Sequence, residues 1–107
     1  MAKKVIMLVC SAGMSTSLLV TKMQNAAKDK DIETEIFAIS ASEADENLES
    51  KNIDVVMLGP QVRFMEKQFK DKLAPKNIPC TVIDMADYGM MNGEKVLNKA
   101  LELIGQA

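Results

Sequence analysis

Val5-Ile6-Met7-Leu8-Val9-Cys10 is an unbroken apolar run, and Ser11-Ala12-Gly13-Met14-Ser15-Thr16-Ser17 follows it directly. A continuous run of mostly branched apolar residues is typical of a strand that is buried on both faces of a sheet. The next seven residues are small or hydroxylic except Met14, which is typical of a tight loop. Apolar residues then recur at helical spacing from Leu18 to Ala27. This stretch predicts a strand, a tight loop and a helix, with the thiol of Cys10 at the end of the strand.

Cys10 is the predicted nucleophile of the chain. It would lie at the positive end of a helix, opposite the backbone N–H groups of the loop. Such surroundings favour the thiolate, which is the reactive form of a cysteine. The same N–H groups can bind the oxygens of a phosphoryl group after the sulfur has attacked phosphorus. The predicted phosphate-binding residues are therefore Ser11, Ala12, Gly13, Met14, Ser15, Thr16 and Ser17, and either Ser15 or Thr16 could cap the helix as well.

The loop has no cation of its own, since no Lys or Arg lies between Lys4 and Lys22. A cysteine phosphatase of the Cys-x5-Arg type needs an arginine at position 16 to bind the transition state. This chain has Thr16 there, so we expect a phosphocysteine at Cys10 to hydrolyse slowly. That favours a phosphoryl carrier over a low-molecular-weight tyrosine phosphatase or an arsenate reductase. A flavodoxin-like module that binds a phosphorylated small molecule, with an incidental Cys10, is the other alternative.

The composition excludes several functional classes. A length of 107 residues suits a single domain over 1–107. The net charge is −2 and Trp is absent, so nothing indicates nucleic-acid binding. The chain contains no His, which excludes phosphohistidine on this chain and His-based metal sites, and we expect neither a metal nor a cofactor. No signal peptide or membrane-spanning run is recognisable, so a cytoplasmic protein is expected.

Strand and helix patterns alternate along the chain. The predicted strands are 5–10, 32–39, 54–59 and 79–84, and the predicted helices are 15–30, 40–51, 61–73 and 92–104. Gly105 is the predicted terminator of the last helix, and 85–91 is expected to be a loop or a single turn. The second strand alternates apolar and polar residues, which places it at a sheet edge.

This alternation predicts an α/β fold with one doubly wound, four-stranded parallel sheet of order 2-1-3-4 and helices on both faces. The Cys-containing phosphate loop would be like that of low-molecular-weight tyrosine phosphatases. Ligands bind such sheets beyond the carboxyl ends of the strands, where the strand order reverses. Cys10 and the segment Gly59-Pro60-Gln61 would meet there.

Several residues outside the loop are also assigned. Leu18, Gln61 and Tyr88 are expected at the rim of the site, either near the phosphate or on a docking face. Asp84 and Asp87 are expected to be caps or turn residues rather than general acids. Cys80 starts a strand whereas Cys10 ends one. Because five strand residues span about 17 Å and a disulfide needs Cα atoms within about 7 Å, no bridge between them is expected.

The run from Cys10 to Val20, together with Leu58-Gly59-Pro60-Gln61, closely resembles the IIB subunits of the lactose/cellobiose (chitobiose) family of the bacterial sugar phosphotransferase system. The resemblance covers essentially the whole chain. It implies a phosphotransferase in which Cys10 accepts a phosphoryl group from a phosphohistidine of a IIA subunit. It also implies that the group passes to a sugar in the membrane IIC permease. The implied sugar is a β-glucoside, cellobiose/chitobiose or lactose type.

Overall fold

The computed structural model describes residues 3–10 and 14–106. They form a four-stranded parallel sheet of order β2-β1-β3-β4. The strands are β1 (Lys4–Cys10), β2 (Thr34–Ser40), β3 (Val55–Leu58) and β4 (Cys80–Val82). β1 pairs with β2 along its whole length and with β3 from Ile6 to Val9. The predicted strand order is confirmed, and so is the edge position of the second strand.

The helices cover both faces of the sheet. The α-helices of the described residues are α1 (Met14–Asp29), α2 (Ala44–Ser50), α3 (Glu66–Leu73), α4 (Met85–Gly89) and α5 (Gly93–Gln106). Alternate side chains of β1 point to opposite faces because a strand has a side-chain period of two. Ile6 and Leu8 pack with α1 and α5, whereas Met7 and Val9 pack with α2 and α3. All four side chains are fully buried, which explains why the strand is apolar at every position.

The predicted helix over 61–73 is wrong in its first half. Residues Pro60–Met65 form a 3-10 segment, and Val62 has the non-helical angles φ −116° and ψ 22°. The backbone N–H of Val62 donates to the carbonyl of Gly59 at 3.0 Å, a bond of the i to i+3 type that winds the chain more tightly than an α-helix does. This tight turn brings Val62 into the core beside β1 and β3. The regular helix begins only at Glu66.

The other helix boundaries differ less. The predicted helix over 40–51 starts as a 3-10 turn, Ala41–Glu43, before α2. Gly105 does not terminate the last helix, because α5 continues to Gln106. Glycine ends a helix when it takes the left-handed conformation, and Gly105 stays helical on the exposed surface. The single turn predicted within 85–91 is α4, and the predicted capping role of Asp84 is confirmed. Its carboxylate accepts from the backbone N–H groups of Ala86 and Asp87.

Candidate functional site

Cys10 lies at the point where the strand order reverses. It is the last residue of β1, which has β2 on one side and β3 on the other. Gly59 follows β3, and its backbone N–H donates to the Val9 carbonyl at 2.8 Å. The carboxyl ends of these two strands therefore meet beside Cys10, as ligand sites in such sheets require. The residue itself is buried, with 2% of its surface exposed.

The Cys10 thiol has one described hydrogen bond. Its Sγ lies 3.6 Å from the carbonyl oxygen of Ile39 on the edge strand β2, and the thiol donates. Only a protonated sulfur can make this contact, because a thiolate or a phosphocysteine has no S–H to donate. A thiolate or a phosphocysteine at this position would therefore lack this hydrogen bond.

The predicted phosphate loop is only partly described. Ser11, Ala12 and Gly13 lie outside the described residues, as do the side chains of Met14, Ser15 and Thr16. The backbone of α1 begins at Met14, and its first turn contains no acidic residue. This 16-residue helix leaves the sheet at the same edge as Cys10, so its positive end is placed beside the strand end.

The first described side chains of α1 show which face of the helix is buried. Leu19 and Val20 are buried, whereas Ser17 and Leu18 are exposed. The carbonyl of Ser17 accepts a hydrogen bond from the Thr21 hydroxyl at 3.2 Å. Leu18 therefore lies at the surface near the start of α1, and its role at the rim of the site stays a prediction.

Gln61 and Tyr88 are joined by a side-chain hydrogen bond. The Gln61 Nε2 donates to the Tyr88 hydroxyl at 2.7 Å, which ties the segment after β3 to helix α4 after β4. A Cβ placed on Gly59 would lie 2.7 Å from Gln61 Oε1 and 3.8 Å from Cys10 Cβ. The glutamine amide thus folds back against Gly59, the residue after β3. The structure therefore brings Gln61 and Tyr88 together beside Gly59.

Four large apolar side chains are exposed among the described residues, and we call them the apolar rim: Leu18, Phe64, Met85 and Met90. Each lies on a segment that follows β1, β3 or β4, and these segments leave the sheet at the carboxyl ends of its strands. Phe64 is 79% exposed, a large value for an aromatic side chain. Sequence reasoning found Leu18 but missed the other three. The available signal is an apolar residue between a strand and the next long helix that falls outside the helix's predicted buried face.

Cys80 lies away from the site. It pairs with Val56 on β3, and Val56 in turn pairs with Met7 on β1. Cys80 is therefore two strands away from Cys10 and three residues nearer the opposite edge of the sheet. Both cysteines are free, as predicted. Burial raises the pKa of the Cys80 thiol to about 11, which makes it a poor nucleophile at neutral pH.

Comparison with known proteins identifies the family. The family described as "PTS system, Lactose/Cellobiose specific IIB subunit" matches residues 5–99. The chain belongs to this family. A IIB component is a phosphotransferase component of sugar uptake, here of the type that serves cellobiose and lactose-like sugars. The resemblance drawn from the Cys10 loop and the segment after β3 is confirmed.

Other IIB components match over nearly their whole length. The cellobiose-specific EIIB component of Lactococcus lactis subsp. lactis is 51% identical, covering 97% of this chain and 99% of that protein. The galactose-specific EIIB component of Lactococcus lactis subsp. cremoris is 50% identical over the same shares. The solution structure of a cellobiose-specific IIB component from Borrelia burgdorferi matches with a TM-score of 0.80 at 43% identity, covering 98% of this chain and 94% of that chain. This structure confirms the fold class.

Two further observations concern membranes and metals. None of the helices described here has both the length and the apolar character needed to cross a bilayer. Within 3–10 and 14–106, no three Cys, Asp or Glu side chains gather as they would around a metal ion.

Proposed function

We propose that this IIB component carries its phosphoryl group on Cys10. The sulfur attacks the phosphorus of a phosphohistidine on a IIA subunit. The N–P bond then breaks, and the imidazole leaves with its electron pair and takes up a proton equivalent to the one the thiol has lost. In the second step a sugar hydroxyl bound in the membrane IIC permease attacks phosphorus. The S–P bond breaks, and the hydroxyl proton restores the thiol. The position of Cys10 at the strand reversal beside the start of α1 supports this proposal.

The phosphoryl group on Cys10 would be held by neutral donors. The candidates are the backbone N–H groups over 11–17, with the hydroxyls of Ser11, Ser15, Thr16 and Ser17 beside them. A helix N-terminus and a loop of N–H groups together favour an anion without any cationic side chain. Because no Lys or Arg lies between Lys4 and Lys22, hydrolysis lacks the guanidinium that phosphatases use. The phosphocysteine would therefore persist until an acceptor arrives.

We assign the apolar rim to docking of the phosphohistidine donor. Phosphorus can pass from imidazole to sulfur only when both atoms approach to bonding distance, so the donor must cover the edge around Cys10. Exposed apolar side chains that form a patch mark contact sites, and Met side chains adapt to a partner's shape. Leu18, Phe64, Met85 and Met90 would then be buried against the IIA subunit.

The test is phosphorylation by a IIA subunit that carries phosphohistidine. The wild-type chain should take up one label, located on Cys10 by mass spectrometry and with the stability of a phosphothiol. Cys10→Ser should abolish that label, whereas the matched control Cys80→Ser should keep it. The proposal fails if Cys10→Ser is labelled like wild type, or if a donor that phosphorylates a related IIB component leaves this chain unlabelled.

A further inference from the structure

The peptide group between Ile39 and Ser40 links the Cys10 thiol to a carboxylate. The Cys10 thiol donates to the Ile39 carbonyl, with Sγ and the oxygen 3.6 Å apart. The other end of the same peptide group is the backbone N–H of Ser40, which donates to Glu43 Oε2 at 3.2 Å. The chain of contacts therefore runs from S–H to carbonyl and from N–H to carboxylate, with a single peptide group in between.

The side chain of Ser40 holds the Glu43 carboxylate in this place. The Ser40 hydroxyl donates to the same Glu43 Oε2 at 3.1 Å. A carboxylate can only accept, so the Ser40 hydroxyl proton points to Glu43. The Ser42 hydroxyl, 3.0 Å from Ser40 Oγ, then donates to Ser40. Glu43 is thus fixed by two donors of one residue at the end of β2.

The strand register places Ser40 directly beside Cys10. The two residues are partners at the carboxyl ends of β2 and β1. Leu8 of β1 and its partner Ala38 of β2 pack with the same core cluster. Because side chains alternate between faces along a strand, Cys10 and Ser40 also project from that face. The hydroxyl that holds Glu43 therefore lies on the same side of the sheet as the sulfur.

The negative charge of Glu43 favours a neutral thiol at Cys10. Hydrogen bonds in a chain polarise one another, so a carboxylate on the N–H makes the carbonyl at the other end a stronger acceptor. A thiol can donate to that carbonyl. A thiolate or a phosphocysteine has no S–H to donate, and its own negative charge is repelled by the carbonyl oxygen and by the carboxylate.

We propose that Glu43 is a positioning residue for Cys10. Through the Ile39–Ser40 peptide group it stabilises the neutral thiol, and it thereby makes the phosphocysteine a better phosphoryl donor. When the S–P bond breaks and the thiol is restored, the hydrogen bond from sulfur to the Ile39 carbonyl forms again. The statement about the phosphocysteine rests on the proposed function, whereas the statement about the thiol does not.

Vibrational spectroscopy tests the link to the thiol. Cys80→Ser leaves Cys10 as the single thiol of the chain, so the S–H stretching band reports on Cys10 alone. In this background Glu43→Gln should move the band to higher frequency, because the hydrogen bond to the Ile39 carbonyl weakens. Glu46→Gln is the matched control, since it removes the same charge from an exposed position in the first turn of α2. It should leave the band in place.

The substitution by glutamine separates the charge from the structural role of Glu43. Ser40 and Glu43 form a capping box at the start of the 3-10 turn Ala41–Glu43, and glutamine serves in a capping box as glutamate does. Glu43→Gln therefore keeps the turn and removes the charge, whereas Glu43→Ala removes both. A band that moves in Glu43→Ala but not in Glu43→Gln would show a capping role alone and overturn the proposal. An equal shift in Glu46→Gln would overturn it as well.

The equilibrium of phosphoryl transfer tests the effect on the phosphocysteine. With a IIA subunit at a fixed ratio of phosphorylated to free form, Glu43→Gln should raise the ratio of phosphocysteine to thiol by about two- to fivefold. The effect is modest because Glu43 is exposed and water screens its charge. An equilibrium between free proteins is independent of how tightly they dock, so a changed docking surface cannot imitate this result. A ratio equal to that of Glu46→Gln, or lower, would refute the effect.

The two proposals fail in different ways. A wild-type chain that takes no label on Cys10 refutes the phosphocysteine function, but the S–H band needs no phosphoryl group and still tests the link from Glu43 to the thiol. A wild-type chain that labels normally, with the same S–H band in Glu43→Gln as in Glu46→Gln, refutes the role of Glu43 alone.

Discussion

Gly93 lies where helices α1 and α5 come closest, and Gly93→Ala is expected to destabilise the protein. A Cβ at this position would lie 2.5 Å from the carbonyl carbon of Lys22, 2.6 Å from Lys22 Cβ and 2.7 Å from the backbone nitrogen of Met23. Favourable contacts between carbon atoms need about 3.5–4.0 Å, so the two helices must separate by roughly 1 Å. Two of the three atoms belong to the backbone and cannot turn aside as a flexible side chain could.

The magnitude follows from two opposing effects. Overpacking of this kind costs about 1–3 kcal/mol, and the preference of alanine over glycine within a helix returns at most about 1 kcal/mol. We expect a net loss of about 1.5 kcal/mol, or roughly a 10 °C fall in Tm for a domain of this size. Urea unfolding followed by circular dichroism would show a lower midpoint with an unchanged slope.

Gly105→Ala is the matched control for Gly93→Ala. It makes the same substitution in the same helix, but the added Cβ would meet no described atom within 4 Å beyond its chain neighbours and the adjacent helix backbone. Its stability should equal that of wild type or exceed it slightly, because alanine favours the helix. If Gly93→Ala proves as stable as Gly105→Ala, the close approach of α5 to α1 is refuted.

Three other predictions concern the loop, a buried thiol and a surface ion pair. Thr16→Arg should shorten the lifetime of labelled phosphocysteine, because a guanidinium would stabilise the transition state of hydrolysis. An unchanged lifetime would show that the absence of arginine at position 16 is not what keeps the phosphocysteine stable. Burial raises the pKa of Cys80 to about 11 in the folded protein, so with rising pH the thiol ionises in the unfolded chain before it ionises in the folded one. The free energy of unfolding should therefore fall as the pH rises above about 9. In urea unfolding at several pH values, the free energy of unfolding of Cys80→Ala should fall less steeply with pH than that of wild type. The Lys51 ammonium donates to Glu35 at 2.6 Å and lowers the pKa of that carboxyl. Glu35→Gln should therefore lose stability at neutral pH, and its difference from wild type should disappear in acid as Glu35 of the wild type is protonated; a difference that persists would contradict the ion pair.

Local patterns were sufficient for the strand that ends at Cys10 and for the buried face of the helix that follows it. A strand buried on both faces must be apolar at every position, and a helix must repeat its buried residues at 3.6-residue spacing. The sequence alone therefore predicts β1 and the buried face of α1. The polar alternation in the second strand likewise placed it at the edge. The prediction was wrong at Val62 and Gly105, where the local sequence is compatible with more than one backbone conformation. Val62 is buried in the core by a 3-10 turn, and Gly105 keeps a helical backbone within α5.

By itself, the sequence determined the parallel α/β sheet, the placement of Cys10 at a strand end and the family to which the chain belongs. Each depends on the order and chemistry of neighbouring residues. Only the tertiary structure decided that Gln61 meets Tyr88 above Gly59, that Phe64 and Met90 stay exposed, and that Gly93 touches the backbone of α1. These contacts join residues far apart in the chain, and their distances depend on how the sheet and helices pack in space, which no local periodicity encodes.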